Sequence, residues 1–155
     1  MISSASQAYF GVKIGGFRSN GNTNFGGGVV YGLPLPVPGL AVELDVTGYY
    51  DKETVADLFF LQSSLGPVYD FNPLITPDSD FLHPFVRAGA AYAFLFSNND
   101  TAIADQHAPG FFTGGGLSFN FPIISIGLET NYNYVNFNSG SNGYWSYFIS
   151  GGIHF

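Results

Sequence analysis

Three histidines are the first residues of this chain to test for catalytic or metal chemistry. His83 precedes Pro84 in an expected turn, His107 lies in an expected loop, and His154 is the penultimate residue. A metal site needs ligands that short spacings or a shared strand face bring together, and no pair of these histidines has such a spacing. We therefore expect each histidine to be solvated or capping, and we expect no metal and no cofactor.

Two serines in an expected loop are the next candidates. The segment NFNSGSNG, residues 136–143, contains Ser139 and Ser141. A serine acts as a nucleophile only beside a base, but the positions two before these serines are Phe137 and Ser139, and no histidine is near.

The glycine-rich FGGGVV, residues 25–30, lacks the lysine and the helix of a phosphate loop. The sequence therefore predicts a protein that is not an enzyme.

The composition departs from that of an ordinary soluble domain in its charge. Asp, Glu, Lys and Arg together make up 10% of the 155 residues, whereas aromatic residues reach 18% and glycine contributes 21 residues. A soluble surface needs more charge than this. The formal net charge of -7 comes from 11 acids and 4 bases, so the basic patch of a nucleic-acid-binding protein is missing. Without cysteine, neither a disulfide nor a thiolate metal site is available.

The hydrophobic pattern predicts strands throughout. No run of about 18 apolar residues offers a membrane-spanning helix, so a membrane protein would have to be a barrel. Only DKETVADLFFL, residues 51–61, has a helical composition, and it runs directly into an aromatic segment that we interpret as a strand. Alternating apolar and polar residues predict one all-β domain over residues 1–155, an antiparallel up-and-down barrel of eight strands at 8–17, 25–33, 40–50, 57–71, 84–96, 111–121, 124–135 and 144–155.

The two faces of the predicted strands differ in an unusual way. In LAVELDVTGYY, residues 40–50, aliphatic residues alternate with Ala41, Glu43, Asp45 and Thr47. The polar faces of the sixth and seventh segments consist mostly of glycine, serine and asparagine, which would coat a soluble protein poorly. Small residues do suit the inside of a narrow barrel whose apolar face contacts lipid. A soluble barrel with its apolar face inward is the alternative.

The inward faces carry a small set of charges that could form an ion-pair cluster. They are Lys13, Glu43, Asp45, Arg87 and Glu129, all on strands that run in the same direction. An unpaired charge in a narrow interior is costly, so two cations and three acids should be arranged as pairs, with one acid hydrated or protonated.

The last twelve residues, YWSYFISGGIHF, place Ile153 and the terminal Phe155 on the apolar face. This segment resembles the C-terminal strand of bacterial outer-membrane barrels. AYFGVKIGGF at 8–17 and LAVELDVTGYYD at 40–51 resemble the first and third strands of small OmpA/OmpX-type eight-stranded barrels. GPVYDFNP with HPFVRAGAAYAF, and GGGLSFNFP with SIGLETNYNY, resemble two of the hairpins of that family.

The resemblance implies an integral protein of the outer membrane of a Gram-negative-type bacterium. It implies contact with outer-membrane lipids and lipopolysaccharide, and recognition of Phe155 and Ile153 by the barrel-assembly machinery. It also implies internal charges that act as a plug or gate, whereas the residues themselves favour charges that simply hold the shape of the barrel. Some small barrels of this kind modify lipid A, but the serines described above have no base beside them. The chain departs from the family in having few basic residues and short outer loops.

Three functions are open at this stage. A barrel of eight strands has an interior that side chains fill, which favours a closed barrel with a structural or surface-interaction role, including that of an accessory subunit of an envelope assembly. A narrow pore for ions or small solutes and a lipid A-modifying enzyme are the alternatives. Four acids expected in the outer loops would form a solvated rim: Asp51, Glu53, Asp100 and Asp105. Alternatively, this rim would bridge to lipopolysaccharide phosphates through divalent cations or face an envelope protein partner.

Overall fold

The chain forms a closed antiparallel barrel in which each of eight strands pairs with the next and the last pairs with the first. The computed structural model describes residues 7–19, 22–52, 57–75, 81–97, 106–137 and 140–155. The strands are β1 (Tyr9–Ser19), β2 (Asn22–Pro34), β3 (Leu40–Lys52), β4 (Asp57–Asp70), β5 (Leu82–Ser97), β6 (Gln106–Asn120), β7 (Ile124–Phe137) and β8 (Gly140–His154). The predicted all-β up-and-down barrel is confirmed.

The observed strands extend beyond the predicted segments, mainly at one end of the barrel. The largest difference is in β6, which begins at Gln106 and not at residue 111. Gly110 and Pro109 indicated a loop, but they pair with Ala91 and Tyr92 of β5. His107 is therefore on a strand and not in a loop. His83 is likewise a strand residue, because β5 begins at Leu82.

A single helical turn, α1 (Asn72–Ile75), was not predicted. It follows β4 directly, and the backbone N–H of Asn72 donates a 2.8 Å hydrogen bond to Oδ1 of Asp70. The side-chain amide of Asn72 donates to the carbonyl of Leu82 at 2.9 Å, which attaches the turn to the start of β5. These local hydrogen bonds replace strand pairing where the chain turns. No helix in the described part of the chain is long and apolar enough to cross a membrane.

The two ends of the barrel differ in their connections. The end that carries the starts of β1, β3, β5 and β7 also carries the end of β8, and it is called the inner end below. At this end Gly39 has a φ of 79°, which a glycine adopts without strain, and closes the tight turn between β2 and β3. The backbone N–H of Phe155 donates to the carbonyl of Ala8 at 3.0 Å, so the end of β8 is attached to the start of β1.

The predicted alternation of faces is confirmed. Leu44, Leu128 and Ile149 point outward and are about half exposed, whereas Glu43 and Asp45 point inward and are buried. The exposed large hydrophobic residues belong to every strand, so the exterior is apolar all round. The soluble alternative required the reverse arrangement, with acids in solvent and aliphatic residues in a core, and it is wrong.

The aromatic residues on the outward faces gather toward the strand ends. Phe59 stacks with Phe96 near one end, and Tyr31 stacks with Phe155 near the inner end. Aromatic rings at two levels are typical of the two interfaces of a bilayer. Tyr49, near the end of β3, points inward and is only 2% exposed.

Two isoleucines with matching exposure test whether the exterior lies in lipid. Ile14, in the middle of β1, is 69% exposed, and Ile123, in the inner turn before β7, is 67% exposed. We expect Ile14→Arg to lower the free energy of unfolding by about 2 to 4 kcal/mol and Ile123→Arg to lower it by at most about 1 kcal/mol. Urea unfolding from lipid vesicles, followed by the fluorescence of Trp145, measures both. Equal small effects would contradict a lipid-facing exterior.

Candidate functional site: the barrel lumen

The structure brings together all five inward charges that the sequence analysis singled out. Lys13 lies on β1, Glu43 and Asp45 on β3, Arg87 on β5 and Glu129 on β7. These strands are not neighbours in the sheet, so the side chains meet across the lumen. Each of the five has a side chain that is at most 8% exposed.

Asp45 is the centre of this ion network. Its Oδ2 accepts hydrogen bonds from Nζ of Lys13 and, at 3.0 Å, from Nη2 of Arg87. Its Oδ1 accepts a 2.7 Å hydrogen bond from the hydroxyl of Thr47. One carboxylate therefore binds both cations of the network. It joins Lys13 on β1 to Arg87 on β5, two strands on opposite sides of the barrel.

Glu129 is the second acid that contacts both cations. Its Oε1 accepts from Nζ of Lys13 at 3.0 Å, and its Oε2 accepts from Nη1 of Arg87 at 3.1 Å. Each cation also lies over an aromatic ring: Nζ of Lys13 is 4.4 Å from the centre of Phe148, and Cζ of Arg87 is 4.9 Å from the centre of Phe112. Such desolvated cation–π contacts add to the ion pairs.

Glu43 is the acid that the network satisfies least. Its Oε2 lies 3.4 Å from Nη1 of Arg87 but accepts no hydrogen bond, although it is buried. Nε of Arg87 is also buried without a hydrogen-bond partner. With two cations and three carboxylates, the network has one negative charge more than its cations balance, and Glu43 is the carboxylate with the fewest contacts.

An aromatic layer lies on the outer side of the network. Phe17, Tyr49, Phe60 and Tyr144 are in mutual contact, with ring centres 4.6 Å apart for Phe17 and Tyr49 and 5.6 Å apart for Phe60 and Tyr144. A buried apolar cluster fills the rest of the cross-section: Ala93, Ala108, Val135 and Phe137. The sequence analysis did not identify this aromatic layer. For Tyr49, the signal was its place in the same alternation as Glu43, Asp45 and Thr47.

A chain of polar side chains lies between the network and the aromatic layer. Tyr144 donates its hydroxyl hydrogen to Oε1 of Gln62, and Nε2 of Gln62 donates to Oδ1 of Asn133 at 2.9 Å. Nδ2 of Asn133 then donates to the hydroxyl of Ser146 at 3.0 Å. These bonds satisfy amide groups that are buried beside the aromatic rings. The outer half of the lumen is thus filled with side chains that contact one another.

The inner half of the lumen contains a cavity of about 130 Å³. Glu43 and Glu129 line it where it meets the network, and Asp70, His83 and His154 line it near the inner end. Nδ1 of His83 is 2.6 Å from Oδ2 of Asp70. Small residues such as Gly11, Gly127 and Gly152 form much of the wall, so the cavity exists because these strands present no bulky side chains there.

The other residues singled out in the sequence are dispersed. His107 faces outward, and its Nδ1 is 2.6 Å from the hydroxyl of Tyr92. Among the described residues, no group of three or more His, Asp or Glu side chains is arranged to hold a metal ion. Phe155 and Ile153 are exposed on the outward face at the inner end.

Most of the predicted acidic rim lies beyond what the structure describes. Asp51 is the penultimate residue of β3, and its side chain is not described; Glu53, Asp100 and Asp105 fall in the gaps. Ser139 also falls in a gap, and Ser141 is placed by its backbone alone, opposite Asn136.

Comparisons with solved structures identify the same fold in small outer-membrane barrels. The chain is similar to Neisserial surface protein A, with 17% identity, a TM-score of 0.73, and 96% of this chain and 95% of that one covered. It is similar to the N-terminal β-barrel domain of Pseudomonas aeruginosa OprF, with 22% identity, a TM-score of 0.69, and 95% of this chain and 97% of that one covered. The outer membrane enzyme PagL matches with 19% identity, a TM-score of 0.56, and 94% and 98% covered.

No sequence family and no curated protein matches the chain. The likeness is therefore one of fold, and it extends over nearly the whole chain. The resemblance to OmpA/OmpX-type eight-stranded barrels that the strand motifs suggested is confirmed at this level.

The unequal roles of the three acids lead to a prediction on stability. Asp45→Asn removes the carboxylate that binds both cations, and we expect it to lower the free energy of unfolding by about 3 to 5 kcal/mol. Glu43→Gln removes an acid that accepts no hydrogen bond from a cation and leaves two acids for two cations, so its effect should be clearly smaller. Urea unfolding in detergent compares the two variants. Equal effects would contradict the central position of Asp45.

Proposed function

We propose that this chain is an integral outer-membrane barrel of a Gram-negative-type bacterium, with a closed lumen and a structural or surface-interaction role in the cell envelope. The apolar exterior supports the membrane location, because lipid solvates such a surface well and water solvates it poorly. The solved barrels with the same fold support the outer membrane in particular.

The closed-barrel proposal rests on one observation: side chains fill the lumen at two levels. The ion network crosses the barrel from β1 to β3, β5 and β7, and the aromatic layer crosses it again on the outer side. The inner cavity ends at the network. A solute that entered from the inner end would meet paired charges and then packed rings. This arrangement favours a closed barrel over a narrow pore.

We propose further that the protein is not an enzyme. The histidine with a hydroxyl partner on the outward face is His107, and that partner is the phenol of Tyr92 and not a serine. A phenol on the lipid-facing side has no neighbouring carboxylate among the described contacts to complete a catalytic set. PagL, which has the same fold, is described as an outer membrane enzyme, so a lipid A-modifying activity is the alternative that an activity assay would reveal.

Three kinds of partner follow from this proposal. Outer-membrane lipids and lipopolysaccharide would surround the apolar exterior, the barrel-assembly machinery would recognise Phe155 and Ile153, and an envelope protein would contact the acidic rim or the outer strand ends. The aromatic pair of Tyr31 and Phe155, with ring centres 6.5 Å apart, shows Phe155 on the exterior at a strand end, where a docking factor can reach it.

Conductance in planar bilayers tests the closed lumen. We expect the parent protein to show no steady single-channel current. The double variant Phe17→Ala/Tyr49→Ala should also be silent, because the ion network remains, whereas the addition of Arg87→Ala should open a conducting path. Phe25→Ala, which removes an exposed outward ring, is the control. Steady conductance of the parent would make the pore the leading function.

A second prediction concerns assembly. Deletion of Phe155 should strongly reduce the amount of folded barrel in the outer membrane of cells, while barrel refolded from urea into detergent should keep a similar unfolding temperature. Phe121→Ala is the matched control, because Phe121 is another exposed aromatic at the inner end. Quantitative immunoblots of membrane fractions measure the levels. Unchanged levels without Phe155 would show that it is not an assembly signal.

A further inference from the structure

We propose that the inner cavity of the lumen binds one small monovalent cation, such as sodium, between the carboxylates of Glu43 and Glu129. The cation enters from the inner end and compensates the third acid of the ion network. This site goes beyond the closed-barrel function, because a cation bound in a dead-end cavity crosses no membrane.

The charges of the ion network do not balance when all three acids are ionised. Lys13 and Arg87 then face Glu43, Asp45 and Glu129, which leaves one negative charge in excess. Uncompensated charge in a narrow lumen between apolar walls is costly. One monovalent cation restores the balance, and a divalent cation would reverse the sign of the excess.

The wall of the cavity carries acids and hydroxyl groups but none of the cations of the network. Two acids of the network, Glu43 and Glu129, line the cavity, whereas neither Lys13 nor Arg87 does. The hydroxyls of Ser125 and Ser150 also line the cavity. Carboxylate, hydroxyl and water oxygens are the ligands that hard cations prefer. A volume of about 130 Å³ is roughly ten times the 10 to 15 Å³ that one water needs, so the cation keeps part of its hydration shell.

Glu43 is the acid of the network with the fewest contacts. Its side chain is 8% exposed, lines the cavity and has a buried Oε2 that accepts no hydrogen bond. A buried carboxylate oxygen without a donor is rare and calls for a partner. Arg87, at 3.4 Å, already donates to Asp45 and Glu129. Glu43 is therefore the acid of the network that its cations compensate least, and a cation in the cavity that Glu43 lines would compensate it.

The cavity can be reached from the inner end of the barrel. Gln7, which is exposed, and His154, the last residue of β8, line the same cavity. The cavity thus continues from the network to the inner surface of the barrel. The aromatic layer blocks the opposite route. Cations reach Glu43 from one side only.

Thermal unfolding of the purified barrel in a zwitterionic detergent tests the site. Sodium chloride is titrated against N-methyl-D-glucamine chloride at equal concentration and constant pH, because the bulky organic cation has the same ionic strength. We expect sodium to raise the unfolding temperature of the parent by about 3 °C or more, with saturation. Glu43→Gln should lose this sodium-specific rise. Sodium-23 NMR should show line broadening by the parent that Glu43→Gln does not produce.

Thr47→Val is the matched control. It removes the hydrogen bond to Asp45 from the outer side of the network and leaves the cavity wall intact, so it should lower stability and keep the sodium effect. Equal unfolding temperatures in the two salts would overturn the proposal. A sodium effect that survives in Glu43→Gln, or one that disappears in Thr47→Val as well, would also overturn it.

Discussion

The whole structure depends on one constraint, which is that five charged side chains lie in a lumen too narrow to hydrate them fully. The strands that surround the lumen have apolar exteriors, so no solvent lies behind the wall to stabilise a charge. The charges must therefore stabilise one another. They do so through Asp45 and Glu129, each of which binds both Lys13 and Arg87. Removal of one partner of such a pair is strongly destabilising because the other charge stays buried.

This constraint explains the small residues of the inward faces. A Cβ at Gly15 would clash with the backbone carbonyl oxygen of Tyr147 on β8 and would lie 2.8 Å from the ring of Phe148. That ring itself lies under the ammonium group of Lys13. The glycine makes room for the ring, and the ring contributes to the stabilisation of the cation. On the inner side, glycines such as Gly11, Gly127 and Gly152 line the cavity, and no bulky side chain from these positions fills it. The same residue type thus permits dense packing on the outer side of the network and a cavity on its inner side.

Much of this arrangement could be predicted from the sequence because strand alternation has a strict period of two. The period placed Glu43, Asp45 and Glu129 inside and Leu44 and Leu128 outside without any knowledge of the fold. The number of strands followed from the turn signals between apolar runs. The resemblance of the last strand to known outer-membrane barrels supplied the expected location, which the apolar exterior supports.

Other features depend on register between strands distant in sequence, and periodicity carries no information on that. The central position of Asp45 results from the shear that brings β1 and β5 to the same height as β3. The extension of β6 to Gln106 depends on pairing with β5 across Gly110 and Pro109, residues that locally indicate a loop. At the turn, Asn72 receives a local contact from the carboxylate of Asp70, but its hydrogen bond to the carbonyl of Leu82 depends on the pairing of β4 with β5.

The central claim is that Lys13 and Asp45 form a desolvated pair on which the rest of the lumen depends. A double-mutant cycle with Lys13→Met, Asp45→Asn and the combined variant, measured by urea unfolding in detergent, gives their coupling energy directly. We predict a coupling of about 2 kcal/mol or more, so that the double variant is much less destabilised than the sum of the single ones. Additivity within about 0.5 kcal/mol, as exposed ion pairs show, would contradict the account.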